Sequence, residues 1–426
     1  MKADPVVITG AGLVSSLGTS TEETWSALLR GESGIGPVQG FDAGGFSCRS
    51  AAQVQCITPQ TLGVNNRDAR IMDVHSLVLL KASRDAFLSS RWGNCELPRE
   101  AIGLFAGMGM VDYGVEDLLP AVLQSRSGGS FSYPSFYSGG YKEIYPLWPL
   151  SMLNNVTFCQ VSILLDVRGD NTVLSPHGDS GVQAVAEALH SVADGRSRVA
   201  LAAGVSETVN PCSLARAHLA GILNTSEGHL ERPCSPFSPG RSGTVIGEGC
   251  GAVAFEPLSS ARRRGIRVLG SVSGYGFAFE REAGDASPTE AAMALAMKRA
   301  LESAGLSPSD VDVIIAHGDG TVRGDENEME AICGVFSDGL DRAAVYTSKQ
   351  ALGHTLAAAP VLDLVLALRM IGEGHVPALS YGMVDSRMEK CLVRGEPLTR
   401  EVARVLINCM SYEGQAASLV VERVEG

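Results

Sequence analysis

The stretch from Thr172 to His190, Thr-Val-Leu-Ser-Pro-His-Gly-Asp-Ser-Gly-Val-Gln-Ala-Val-Ala-Glu-Ala-Leu-His, constrains the chain most. A short apolar strand ends at Leu174 and a polar turn carries Pro176 to Asp179. Val182, Val185, Ala186 and Leu189 then recur at helical spacing. Strand, tight turn and helix follow from that pattern. Gly181, Ala184 and Ala188 would let the helix pass close to neighbouring backbone, so a buried helix is expected. Its N-terminus concentrates free N–H groups and partial positive charge, the place for a nucleophile or an oxyanion. Gly178, which has no side chain, stands at that point. The run Gly178-Asp179-Ser180-Gly181 echoes the nucleophile segment of trypsin-like proteases, but those place it in a β-barrel and here a long amphipathic helix follows. Asp179 and Ser180 are expected to act as helix caps.

Composition narrows the class. The 426 residues can bury a large core, and 49 glycines with 45% hydrophobic and 19% charged residues suit an α/β protein with many strand-to-helix turns. A net charge of −13 argues against a nucleic-acid surface. No apolar run reaches the about 18 residues that span a membrane, and Met1 to Pro5 leads into a strand, so a cytoplasmic protein is expected. The ten cysteines include no Cys-x-x-Cys and no zinc-ligand spacing with the eight histidines, so they read as reduced, mostly buried thiols with no metal.

Along the chain, Pro5 to Thr9 reads as a strand followed by Gly10-Ala11-Gly12. The third glycine of a dinucleotide fingerprint is missing, so these glycines are read as a tight turn. Thr21 to Leu29 and Ile71 to Phe87 read as helices, and Ala101 to Met108 as a buried strand. From Val111 to Tyr145 the sequence turns irregular, with a Gly/Ser-rich aromatic centre that suggests a long surface excursion. Val199 to Ala203, ended by Gly204, and Ala252 to Phe255 are further strands, with a proline-punctuated loop from Arg232 to Gly243 between them. Ser287-Pro288-Thr289-Glu290 is a capping-box start with proline at the first helical position, of a helix closed by Gly305. Val311 to Ala316 and Ala344 to Thr347 are strands that deliver His317-Gly318 and Ser348-Lys349, and Gly353-His354 precedes another buried helix. Two histidines and a lysine thus fall at strand ends or helix starts, where α/β proteins build their sites.

With these landmarks the chain resembles the β-ketoacyl synthases over nearly its full length. The resemblance rests on Val6-Val7-Ile8-Thr9-Gly10-Ala11-Gly12-Leu13-Val14-Ser15, on the Arg232-Pro233 to Gly249 segment, on Ala316-His317-Gly318, and on Lys349 with Gly353-His354. It implies a thiolase-like α/β fold of two similar halves, 1–257 and 258–426, in a layered αβαβα arrangement, with an insertion at about 111–147 in the first half. In that family a cysteine at the buried helix N-terminus receives the acyl chain, and two histidines help decarboxylate the malonyl extender and stabilise the enolate. Counted without a gap from Asn155, the family's Ala-Cys-Thr-Ser-Gly falls on His177 to Gly181, which puts Gly178 at the nucleophile position. The family's glycine-flanked gate falls on Asn408 to Ala416, where two glycines are replaced by Ser411 and Glu413 and the gating phenylalanine by Tyr412.

The resemblance therefore implies a non-catalytic subunit similar to the chain-length factors of type II polyketide synthases. Such a subunit pairs with a cysteine-bearing ketosynthase and shapes its acyl tunnel, in a polyketide, polyene or fatty-acid-like pathway. The retained framework His317, Lys349 and His354 supports the alternative of a malonyl-acyl carrier protein decarboxylase or a ketosynthase-like acyltransferase. No cofactor is expected, since phosphopantetheine would arrive on the acyl carrier protein, a partner met mainly through the ketosynthase. Met110, Trp148 and Tyr412 are the expected tunnel residues.

Overall fold

Ten strands in two five-stranded sheets organise the computed structural model, which describes residues 4–112, 114–175, 177–225 and 233–425. Pro176 and Arg232, both part of the motifs above, lie outside the described residues. The first sheet is built from β1 (Val6–Ser15), β2 (Ile102–Met108), β3 (Asn171–Leu174), β4 (Val199–Val205) and β5 (Gly249–Pro257), in the spatial order β1-β5-β4-β2-β3. The second contains β6 (Ser271–Phe279), β7 (Val313–Ile315), β8 (Ala344–Tyr346), β9 (Arg404–Met410) and β10 (Gln415–Glu422), in the order β6-β10-β9-β7-β8. Adding five to each label of the first sheet gives the second. In both, the first, fifth and fourth strands pair antiparallel and the fourth, second and third pair parallel.

The helices repeat as well. The first half carries α1 (Val74–Ser89), α2 (Val115–Gln124), α3 (Asn154–Leu165) and α4 (Ser180–Ala193), and the second α5 (Glu290–Ala304), α6 (Val322–Phe336) and α7 (Ala359–Glu373). With α2 set aside as part of an insertion, and the short helices Thr21–Leu29 and Pro211–Leu219 as additions to the first half, each half reads strand, helix, strand, helix, strand, helix, strand, strand. Parallel neighbours need such helical crossovers. α4 and α7 lie between the two sheets, α4 against β2 and β4 and α7 against β5 and β9, while α1 and α5 cover the outer faces. One apolar core fills the space between the sheets, joining Phe105 and Val182 to Val361 and Ile407; a second lies beneath α1 and α3, with Leu80, Phe158 and Ala254.

The glycines of β1 correct the sequence reading. No turn follows Thr9: the strand continues through Gly10 and Gly12 to Ser15, with a bulge between Ile8 and Gly10. A Cβ at Gly10 would sit 2.2 Å from the carbonyl oxygen of Ala86, and one at Gly12 2.2 Å from that of Ala82, so α1 packs directly on strand backbone. β6 repeats the device: a bulge between Val272 and Gly274, and Cβ positions at Gly274 and Gly276 2.3 and 2.2 Å from the carbonyls of Ala300 and Ala296. The same close approach admits α4, since a Cβ at Gly181 would meet the Ala357 carbonyl at 2.4 Å.

Other boundaries moved for local reasons. The Ile71 helix begins at Val74 after a 3-10 turn at Asp68–Ile71, because the Asp73 side chain accepts from Ser76 N and caps it there. Thr289, not Ser287, caps α5, so Pro288 precedes the cap instead of opening the helix; Gly305 closes it at φ +69° as expected. Gly204 does not end β4, which runs to Val205. The excursion after Val111 is ordered into α2, a hairpin at 126–131 and short helices at Tyr133–Ser138 and Trp148–Ser151. Of the ten cysteines only five are buried, and Cys56 and Cys159 are exposed.

Candidate functional site

The C-terminal ends of β7, β8 and β9 converge on the N-terminal end of α4. β7 delivers His317, whose backbone N–H and that of Gly318 both donate to the Glu328 carboxylate of α6 at 2.7 Å. Asn408 at the end of β9 donates to the same carboxylate at 3.1 Å and accepts from Ser418. Glu328 is 1% exposed; burial raises its pKa, and these donors hold it back. It fixes the histidine loop through the loop's backbone.

The two rings stand edge to face, centroids 4.8 Å apart at 88°. His317 Nδ1 accepts from Met410 N at 3.2 Å, and His354 Nδ1 accepts from Leu356 N at 3.3 Å. With Nδ1 committed as an acceptor in both, the neutral rings carry their proton on Nε2. Burial, then the Lys349 ammonium and His354, drives the His317 pKa far down; burial and Lys349 bring His354 to about 3. The pair is therefore two neutral N–H donors, suited to a carbonyl or enolate oxygen and unsuited to supplying a full positive charge. Lys349 Nζ lies 3.5 Å from Asp363 Oδ2, each side chain 1% exposed, and Ser348 Oγ donates to the other carboxylate oxygen at 2.7 Å. Asp363 thus pairs with the Lys349 ammonium beside the histidines.

Gly178 faces this group across the strand end. The Cys409 thiol donates to the Gly178 carbonyl at 3.2 Å, and a Cβ built on Gly178 would sit 2.7 Å from the Met410 carbonyl oxygen. The space a side chain would use at position 178 is taken by backbone. Burial pushes the Cys409 thiol up, so this sulfur is no thiolate. Asp179 and Ser180 do not cap α4 as expected: Asp179 accepts from Gln183 Nε2, and Ser180 Oγ donates back to the His177 carbonyl. The tight turn at His177 brings that carbonyl under Ser180 and withdraws its hydroxyl from the helix end.

The loop after β9 is tied at both sides. Ser411 Oγ bonds Glu413, whose carboxylate also lies 3.3 Å from His177 Nδ1, and Gly414 keeps φ +105°. Tyr412 is half-buried, and burial and the Glu207 carboxylate push its phenol up. Glu207 also accepts from Met110 N at 3.4 Å and pairs with Arg216, which bridges to Asp112. Met110 and Tyr412 are thereby neighbours of one buried ionic cluster. Trp148 stands apart, on a single-turn helix that packs against α3 and the turn at 68–71. Sequence reading missed Glu328, Asp363 and the Asp112–Glu207–Arg216 cluster. Asn408 and Cys409 lay inside a quoted motif, whereas Glu328 looks like any residue of an amphipathic helix. Among the described residues no group of His, Cys, Asp and Glu is placed to hold a metal ion, and no helix is long and apolar enough to cross a membrane.

Residues 3–261 match the β-ketoacyl synthase N-terminal domain and residues 269–381 its C-terminal domain. The chain belongs to the β-ketoacyl synthase family. Relatives include the 3-oxoacyl-[acyl-carrier-protein] synthase 2 of Coxiella burnetii (strain RSA 493 / Nine Mile phase I), 28% identical over 100% of both chains. That of Staphylococcus aureus (strain COL) is 26% identical over 99% of this chain and 98% of the relative. Among solved structures, the ishigamide ketosynthase/chain length factor superposes with TM-score 0.85 at 25% identity, covering 99% of this chain and 100% of that one. A β-ketoacyl synthase from Burkholderia phymatum STM815 gives 0.84 at 25% identity and the same coverage. This is the thiolase-like ketosynthase fold, and the two repeated sheets are its two halves.

Proposed function

We propose that this β-ketoacyl synthase family member is a non-catalytic, chain-length-factor-like subunit that pairs with a cysteine-bearing ketosynthase and shapes the tunnel for its acyl chain. One observation carries the reading: Gly178 at the N-terminus of α4 offers no thiol, and the Met410 carbonyl stands 2.7 Å from where its Cβ would be. Without a thiol the covalent acyl step has no acceptor. The likeness to the ishigamide ketosynthase/chain length factor supports the pairing. The tied loop at Ser411 and Glu413 supports a gate that no longer opens. With a net charge of −13 the chain is poorly suited to docking an acidic carrier protein, so the ketosynthase would present most of the docking surface and receive the phosphopantetheine arm. Met110, Trp148 and Tyr412 are proposed to bound the tunnel.

Two measurements test this. The chain is incubated with acyl-carrier protein and weighed intact, and is co-expressed with a ketosynthase encoded beside it. No acyl adduct and obligate co-purification are expected; a stable adduct, or a folded homodimer that condenses alone, sinks the reading. For the tunnel, Trp148→Ala and Met110→Ala complexes that still assemble should yield longer products.

The retained histidines favour a second reading, decarboxylation of malonyl-acyl carrier protein or a related acyl transfer. Two neutral Nε2–H donors can stabilise an enolate without a thiolate. Carbon dioxide release by the purified chain alone, lost in His317→Ala, would favour it over the first.

A further inference from the structure

A cavity of about 570 Å³ opens beside the vacated position, between α4 and the edge strand β6. Leu174, Ala186, Phe277 and Phe279 supply apolar walls, and the volume lies in the range of small-molecule sites. Most polar groups around it already have partners: Tyr275 OH bonds His190 Nε2 at 2.6 Å, and Arg299 Nη1 donates to the Phe277 carbonyl. Two lining residues do not fit that pattern. Asp179 is 3% exposed and its Oδ1 has no hydrogen-bond partner, although Oδ2 accepts from Gln183. The Oε1 of Gln415, just after the tied loop, is likewise buried and without a partner. Buried polar atoms are normally satisfied, so each marks a place for a ligand atom. Burial raises the Asp179 pKa, against the bond from Gln183. The unpaired Asp179 and Gln415 oxygens can each accept an N–H, and a primary amide has two to give.

We propose that this cavity binds a small neutral amphiphile, an aliphatic chain ending in an amide, whose head meets Asp179 and Gln415 and whose body lies against Leu174, Ala186, Phe277 and Phe279. A carboxylate head fits poorly: it brings no donor for Gln415 and puts a second charge beside a carboxyl already stripped of water. The site acts independently of whether the chain catalyses anything.

Calorimetric titration of the purified full-length chain with octanamide and octanoate near neutral pH tests this. Octanamide should bind about tenfold or more tightly than octanoate, because a site with polar groups to satisfy rejects a head that leaves them unpaired. Gln415→Leu should bring the two affinities together, and Ala186→Phe, which fills the cavity, should abolish both. Should Ala186→Phe fail to fold, a diazirine-bearing octanamide should label the wild-type chain within the α4 and β6 segments. Equal or tighter binding of octanoate, or labelling confined to other segments, overturns the proposal.

Discussion

A thiol cannot simply be returned to position 178. Gly178→Cys must push the Met410 carbonyl aside, and Met410 N is what holds His317 Nδ1. The substitution is expected to cost about 1–3 kcal/mol, as overpacking does, and to leave the chain unacylated; denaturant midpoints with intact mass check both. A variant of unchanged stability that becomes acylated would mean the strand end yields easily. The histidines make a pH prediction. His354, held at about 3 when folded, titrates near its ordinary 6.5 once unfolded. Below that value the unfolded chain binds a proton the folded one refuses, so stability present above pH 6.5 is lost as the pH falls. The loss is about 1.4 kcal/mol per pH unit per such group. His354→Gln should flatten the slope of stability against pH by about that amount between pH 6.5 and about 5, measured by urea unfolding. An unaltered slope would contradict a buried neutral ring.

At the scale of elements, the paired glycines make the two halves comparable. Gly12→Ala and Gly276→Ala each drive a methyl into a helix carbonyl 2.2 Å away, so each should lower stability by about 1–3 kcal/mol or more, and by similar amounts. Thermal unfolding of the two variants checks this; tolerance of one alone would show that its helix is free to lift. The loop after β9 behaves as an element of its own. Replacing Glu413 by glycine removes its partner from both Ser411 and His177, and the amides of Ser411 and Gly414 should then exchange faster with solvent. Several strands and the helix between Thr172 and His190 were legible because periodicity is local: α4 spans Ser180–Ala193 with the buried face its valines and alanines implied. The role of Gly10 and Gly12 was not, because a glycine that admits a helix and one that permits a turn look alike until α1, some seventy residues on, is seen against them.

Over the whole molecule, exposed apolar surface gathers in the insertion of the first half. Leu119, Leu123, Phe131, Tyr137 and Tyr145 are 46%, 54%, 41%, 71% and 52% exposed. Apolar surface concentrated in this way marks an interaction face, and it belongs with the proposed pairing. Leu119→Lys with Leu123→Lys should abolish co-purification with the ketosynthase while leaving the melting temperature of the isolated chain within a degree or two, since neither side chain is buried. Assembly that survives the double change would move the interface elsewhere. Residue types and their spacing determined by themselves the α/β class, the strands that end in His317 and Lys349, and the glycine where the helix begins, since each depends on neighbours a few positions away; the plan of two similar halves came from the family resemblance. Only the tertiary structure decided which histidine nitrogen carries the proton, that Glu328 anchors the loop, that Met410 fills the space over Gly178, and that Asp179 and Gln415 line one cavity. These depend on backbone and side-chain groups brought together from opposite ends of the chain, and no local pattern encodes that distance.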